Sequence, residues 1–283
     1  MNLCSKNTIK TLFQKYQTKP IKQLGQNFLI NEKIIKKTIE AAGISLNDIV
    51  LEIGPGIGTL TIELAKRVKR VIAIEKDPKM VEILRETLKG YKNVEIIQKD
   101  VLELTTSSLQ LTADYRIVAN LPYYIVSPVI RKFLELENPP KEMILMVQKE
   151  VGQRICAKPP NMSILAISVQ FYAEPKIISY VSKASFWPQP KVDGAIIKII
   201  PKAIRSDLGQ ACPRSDLEQF FKIVRAGFAH PRKQLINNLS NGLKIDKIKT
   251  KEWLLKNNIQ PSQRAETLSV ENWLSLANED FNF

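Results

Sequence analysis

The residues of this chain best equipped for chemistry stand where apolar runs end. Asn120-Leu121-Pro122-Tyr123-Tyr124 follows the run Tyr115 to Ala119, so a side-chain amide, a proline-stiffened bend and an aromatic ring emerge together. Such a trio can hold the amino group of a planar base. The Asn120 side-chain oxygen and the backbone carbonyl of Leu121 would accept its two N–H bonds, and Tyr123 would stack on the ring, a contact worth roughly 1–3 kcal/mol. An ordinary turn also uses Asn and Pro in this way, so the other motifs must decide. Glu52-x-Gly54-x-Gly56-x-Gly58 follows the run Asp48 to Ile53 and precedes Leu60, Leu64 and Val68 at helical spacing. Glycines there let the backbone come close to a ligand, and the helix start offers free N–H groups. Glu75 ends the next apolar run, where an acid typically holds ribose hydroxyls. Asp100 follows a third. Glu75, Asp100 and Asn120 would then converge outside the carboxyl ends of neighbouring strands, the usual ligand site of an open α/β sheet.

The elements that would position these residues alternate. Strands are expected at 48–53, 71–74, 94–98, 115–119 and 143–147, with helices between them, as at Asp77-Pro78, where the Asp is an N-cap and the Pro sits at the first helical position. Ser127-Pro128 starts another helix, and helical stretches are expected at 149–157 and 162–172. Strands alternating with helices predict a parallel sheet covered on both faces. Two closing strands are expected at 177–181 and 195–200. Beyond residue 202 the periodicity is helical only, with Ser215-Asp216-Leu217-Glu218 read as a capping box and later helices at 249–257 and 269–277. The fold class is therefore α/β, with a catalytic domain over 1–203 and a small all-helical domain over 204–283.

Lysine and arginine number 42 against 28 acids, a net charge of +14 with a pI near 9.6. A field of that sign favours a polyanionic partner. No acid precedes Glu32, and Lys6, Lys10, Lys15, Lys19 and Lys22 make the first residues read as a basic arm. Cys4, Cys156, Cys212 and the lone His230 give neither a disulfide framework nor zinc-ligand spacing, so no metal and a reducing cytosol are expected. The first twenty residues carry no apolar signal segment, and no run reaches transmembrane length; a soluble, cytoplasmic protein without membrane contact is expected.

The glycine loop with its leading Glu52 resembles that of class I S-adenosylmethionine (SAM) methyltransferases, whose sheet is Rossmann-like; it lacks the G-x-G-x-x-G spacing of dinucleotide binders, which sets a dehydrogenase aside. With a methyl donor beside it, Asn120-Leu121-Pro122-Tyr123 resembles the motif of enzymes that methylate an exocyclic amine. Adenine N6 is a poor nucleophile because its lone pair is delocalised into the ring, so hydrogen bonding and positioning must carry the rate. Gly25-Gln26-Asn27-Phe28-Leu29, Glu52-Ile53-Gly54-Pro55-Gly56, Val147-Gln148-Lys149-Glu150-Val151 and Phe186-x-Pro188-x-Pro190-Lys191-Val192-Asp193 complete, in order, a resemblance over nearly the whole chain. It is to the ribosomal RNA adenine N6-dimethyltransferases of the small-subunit, kasugamycin-sensitivity type.

The resemblance implies that Asn27, Leu29, Gly54, Glu75, Asp100 and Asn120 bind SAM and that Phe186 helps enclose the target base with Tyr123. It implies two methyls on each of two adjacent adenosines in a hairpin loop near the 3′ end of 16S rRNA, within an assembling small subunit. Lys191, Arg225, Arg232 and Lys233 are candidates for RNA phosphates, which would position the RNA without specifying the loop. His230-Pro231-Arg232 stands where the family usually has a double Arg. A monomer is expected. Rival readings are a macrolide-resistance methylase acting on large-subunit rRNA, a non-enzymatic nucleic-acid-binding relative and a small-molecule methyltransferase. The Phe186–Asp193 segment and Arg264-Ala265-Glu266 argue against the first, intact Asn120 and Tyr123 against the second, and the charge of +14 against the third.

Overall fold

The computed structural model describes residues 1–105, 111, 114–202 and 214–278, without the side chains of 214–216, so Cys212 and the expected capping box at Ser215 and Asp216 lie outside the described groups. Two compact units result: Met1–Gln153 with Ala173–Pro201, and Arg154–Tyr172 with Lys202–Phe283. In chain order the elements are α1 (Lys6–Lys15), β1 (Phe28–Leu29), α2 (Glu32–Ala42), β2 (Ile49–Ile53), α3 (Thr59–Ala65), β3 (Arg70–Glu75), α4 (Pro78–Thr87) and β4 (Val94–Gln98). There follow β5 (Tyr115–Asn120), α5 (Val126–Leu134), β6 (Met143–Gln148), α6 (Lys149–Ile155), α7 (Ile164–Tyr172), β7 (Ala173–Val181), β8 (Phe186–Trp187) and β9 (Gly194–Pro201). The last four are α8 (Arg214–Gly227), α9 (Leu235–Leu243), α10 (Lys247–Lys256) and α11 (Val270–Ala277).

The first unit is an α/β sheet in the order β4-β3-β2-β5-β6-β9-β7. β2 to β6 pair in parallel. Their near-continuous apolar runs suit strands covered on both faces, and Val50, Leu51, Ile72, Ala73, Val118 and Leu145 are wholly buried. The sheet is mixed, because β9 runs antiparallel to both β6 and β7. The connection from β7 to β9 carries no crossover helix, and a chain that returns without one comes back antiparallel. β2 and β5 are neighbours while their connections leave in opposite directions, so the topological switch point lies between them. A separate two-stranded pair, β1 with β8, joins stretches far apart in sequence: Phe28 faces Trp187 and Leu29 faces Phe186.

The N-terminal segment differs from the expected arm. Ile9, Leu12 and Phe13 share one face of α1 at helical spacing, are buried, and pack with Phe28, Ile57, Met80 and Ile83. The lysines occupy the opposite side, and Lys15 reaches Glu86 of α4 at 2.6 Å. Charge marked this stretch as a tail; its apolar face docks it.

In the second unit, buried Trp253 and Trp273 gather Met162, Ile167, Phe220, Ile223, Leu235 and Leu239 around them. Residues 154–172, which sequence reading assigns to the catalytic domain, cluster here instead. α9 was not anticipated: Asn237, Asn238, Ser240, Asn241 and Gly242 are weak helix formers, and burial of Leu235, Ile236, Leu239 and Leu243 overrides them. No helix among the described residues is long and apolar enough to cross a membrane.

Candidate active site

Four strand ends define one cleft. Gly54 and Gly56 follow β2, Glu75 closes β3, Asp100 lies just past β4, and Asn120 closes β5. The cleft encloses about 1050 Å³, part of it open to solvent. Its walls include Asn27, Leu29, Gly54, Glu75, Asp100, Asn120, Leu121, Tyr123 and Phe186, so every residue expected to hold the donor or the target base is brought to one place.

The glycine loop owes its path to backbone conformations that side chains resist. Gly54 and Gly56 have φ of 68° and 60°, and a Cβ on Gly56 would come within 3.0 Å of the Phe28 ring. The loop is held from below by Glu75, whose carboxylate accepts from Gly56 N at 3.1 Å and from Asp77 N at 2.9 Å. Burial raises the Glu75 pKa against the lowering effect of these N–H donors. Glu52, used in sequence reading only as a landmark of the loop, sits in the same wall. It is 2% exposed, and its Oε2 has no hydrogen-bond partner. Burial, with the charge of Glu75 adding to it, pushes its carboxyl up to about 8. An orphaned polar atom in a cavity wall calls for a donor from a ligand. A cationic, hydroxyl-bearing, partly apolar molecule such as SAM fits this set of groups.

Asp100 is ionised more easily than an ordinary carboxylate, chiefly because Lys76 Nζ lies 2.8 Å from its Oδ2, while Leu102 N donates to Oδ1. Lys76 is the second residue that sequence reading passed over; it lines the cleft with Glu75 and Asp100. Its position directly after a strand-end acid was the signal available.

On the acceptor side, Asn120 Nδ2 donates to the Asn27 carbonyl at 3.2 Å, and Asn27 Nδ2 donates in turn to the Gly25 carbonyl at 3.0 Å. Leu121 N donates to Met146 O at 3.2 Å, which fixes the bend against β6. Phe186 is 3% exposed and is carried to the cleft by the β1–β8 pair. Burial, then the negative charge of Asp193, raises the Tyr123 hydroxyl pKa, which keeps the ring neutral. Among the described residues no group of His, Cys, Asp or Glu is placed to hold a metal ion.

The four cations singled out for RNA do not line the cleft. Lys191 is exposed in the first unit. Arg225, Arg232 and Lys233 are exposed on the second, around a loop pinned by buried Asn238, which donates to the carbonyls of Gly227 at 2.6 Å and His230 at 3.0 Å.

Comparison with known proteins agrees with this geometry. The family model described as ribosomal RNA adenine dimethylase matches residues 18–280. A ribosomal RNA small subunit methyltransferase A of Dehalococcoides mccartyi is 42% identical over 271 residues, 95% of this chain and 91% of its own. That of Alkaliphilus oremlandii is 40% identical over 98% of this chain and 97% of its own. Among solved structures, a dimethyladenosine transferase from Plasmodium falciparum superposes with a TM-score of 0.71 at 30% identity, over 88% of this chain and 95% of its own. The 23S rRNA methyltransferase ErmE also reaches 0.71, at 26% identity, over 89% of this chain and 98% of its own. With the motifs in order, the cleft assembled and the match running through both compact units, the chain belongs to the ribosomal RNA adenine dimethylase family.

Proposed function

We propose that this enzyme places two methyl groups on N6 of each of two adjacent adenosines in the hairpin loop near the 3′ end of 16S rRNA, acting on an assembling small subunit. The chain is an rRNA adenine N6-dimethyltransferase of the small-subunit type, and SAM is its methyl donor. The observation that carries the reading is the convergence of Glu75, Asp100 and Asn120 on one cleft at the switch point of the sheet.

Asn27, Leu29, Gly54, Glu75 and Asp100 hold the donor, which supplies an electrophilic methyl group on a sulfonium. Asn120 has committed one amide N–H to the Asn27 carbonyl, which leaves its Oδ1 to accept from the target N6. A second bond to the Leu121 carbonyl pulls both N–H groups out of conjugation with the ring and localises the nitrogen lone pair. Tyr123 and Phe186 enclose the base, which must leave its stack to arrive, least costly in an unpaired loop. The alkylated nitrogen loses its proton readily to solvent, so the residues need only position the amine. Lys191 of the first unit and Arg225, Arg232 and Lys233 of the second contact phosphates, and the second unit serves as an RNA-binding domain. The protein acts as a monomer in the cytoplasm.

The rival large-subunit activity has ErmE at 26% identity in its favour, whereas the small-subunit relatives stand at 40–42%. Incubation with labelled SAM and separated subunits from a strain lacking the methylation tests the choice. Label confined to two adjacent adenosines of 16S rRNA is expected; label in 23S rRNA would reject the assignment.

A further inference from the structure

Outside the cleft, one exposed aromatic ring stands at the same edge of the sheet as Asn120. β7 is an edge strand, antiparallel to β9 as β6 is, so β6 and β7 run the same way. Val181 pairs with Gly194, which pairs with Gln148, and Met146 pairs with Asn120. The strand ends therefore step from Asn120 to β7 across three inter-strand spacings, about 15 Å. A register irregularity between Ile177 and Ser179 sets the phase of the last residues, as bulges beside active sites commonly do. Val181 turns into the core, and Tyr180, next to it, stands 50% exposed.

Single exposed apolar residues need no explanation. Tyr180 differs in its surroundings. The Lys149 ammonium lies 5.1 Å from the ring centroid, and Gln153 Nε2 reaches the hydroxyl at 3.4 Å. Lys149 N donates to the Asp193 carbonyl at 2.9 Å, and Lys183 N to Asp193 Oδ1 at 2.9 Å. The ring thus belongs to the segment that Asp193 ties together through Lys149 and Lys183, and Lys149, Lys183 and Lys191 are all exposed.

We propose that Tyr180, with Lys149 against its face, is a stacking platform for an unpaired nucleotide flanking the target adenosine. A base has two faces to stack and a phosphate on either side, so an exposed ring among lysines matches single-stranded nucleic acid and binds it without regard to sequence. The inference rests on the small-subunit rRNA reading and adds a contact outside the reacting pocket.

The test uses small-subunit particles lacking the methylation. Tyr180→Ala should raise KM for the particles roughly 5- to 150-fold, with kcat and SAM affinity unchanged. Tyr180→Phe and Tyr180→Trp should restore KM, because stacking needs the ring and not the hydroxyl. Benzoylphenylalanine at position 180 should crosslink to rRNA nucleotides beside the methylated adenosines. A wild-type KM for Tyr180→Ala, or a crosslink to a ribosomal protein, would overturn the platform. Failure of the wild-type enzyme to methylate these particles would instead strike the underlying rRNA reading.

Discussion

Asn120 Nδ2 donates to the backbone carbonyl of Asn27 across 3.2 Å. The bond ties the end of β5 to the segment that precedes β1, and it assigns the two ends of one side-chain amide to different tasks. One N–H of the donor end is committed to the protein. Under the proposed function, the acceptor end receives the substrate amine. The same contact makes the N-terminal motif a wall of the cleft, beside the strand pair that delivers Phe186.

Glu75 has both carboxylate oxygens engaged, by Gly56 N and Asp77 N, and it is expected to hold the donor's ribose as well. Hydrogen bonds to a charged group contribute roughly 1.5–3 kcal/mol, so Glu75→Ala should weaken SAM binding about 10- to 100-fold in calorimetry. Glu75→Gln, which keeps one carbonyl acceptor, should fall between. Unchanged affinity for the alanine variant would reject the role.

Glu52 gives the protein without donor a pH dependence with a definite sign. Its carboxyl is pushed up to about 8 in the fold, against about 4.3 in an unfolded chain. Below the lower value both states are protonated and the fold keeps the full benefit. As pH rises, the unfolded chain ionises first, so stability falls by up to ~1.4 kcal/mol per pH unit until the folded group ionises too. Glu52→Gln should flatten the Tm profile between pH 5 and 8. A profile as steep as that of the wild type would contradict the assignment.

Gly227, the last residue of α8, packs directly on an indole. A Cβ there would sit 2.3 Å from Cη2 of Trp273, whose side chain is fully buried. The ring has nowhere to move, and overpacking of a filled core typically costs about 1–3 kcal/mol. Gly227→Ala should lower the unfolding free energy by that amount in chemical denaturation, shifting the midpoint to lower denaturant, and an unaltered midpoint would count against this packing.

The excess of 42 basic over 28 acidic residues predicts counterion release on RNA binding. Affinity for small-subunit rRNA should fall linearly in log–log form as salt rises, and Arg232→Ala with Lys233→Ala should reduce the slope by roughly one to two. A flat titration would leave these cations without a partner.

The motifs legible in the sequence were those whose meaning is local. Gly54-Pro55-Gly56, Glu75, Asp100 and Asn120 each sit at the boundary between an apolar run and a turn, and parallel strands place such boundaries at one edge. What stayed hidden depends on contacts between distant segments. Nothing in Phe28-Leu29 or Phe186-Trp187 taken alone announces that they pair. In α1 three lysines stand against the three residues that dock it, so charge masked an apolar face. Residues 154–172 read as a continuation of the sheet's helices, and only their packing on Phe220 and Trp253 places them elsewhere. Tyr180 and Lys76 are ordinary surface residue types; a ring under an ammonium and a lysine on Asp100 appear only in three dimensions.

The central claim is that the Asn120 side chain orients the amine that is methylated. Single-turnover methylation of unmodified small subunits by Asn120→Ala, read beside SAM binding to the same preparation, tests it most directly. The account predicts transfer slowed about 100- to 1000-fold, the usual cost of one preorganised hydrogen-bonding group, with SAM still bound. Transfer at a near-normal rate by that variant would contradict it.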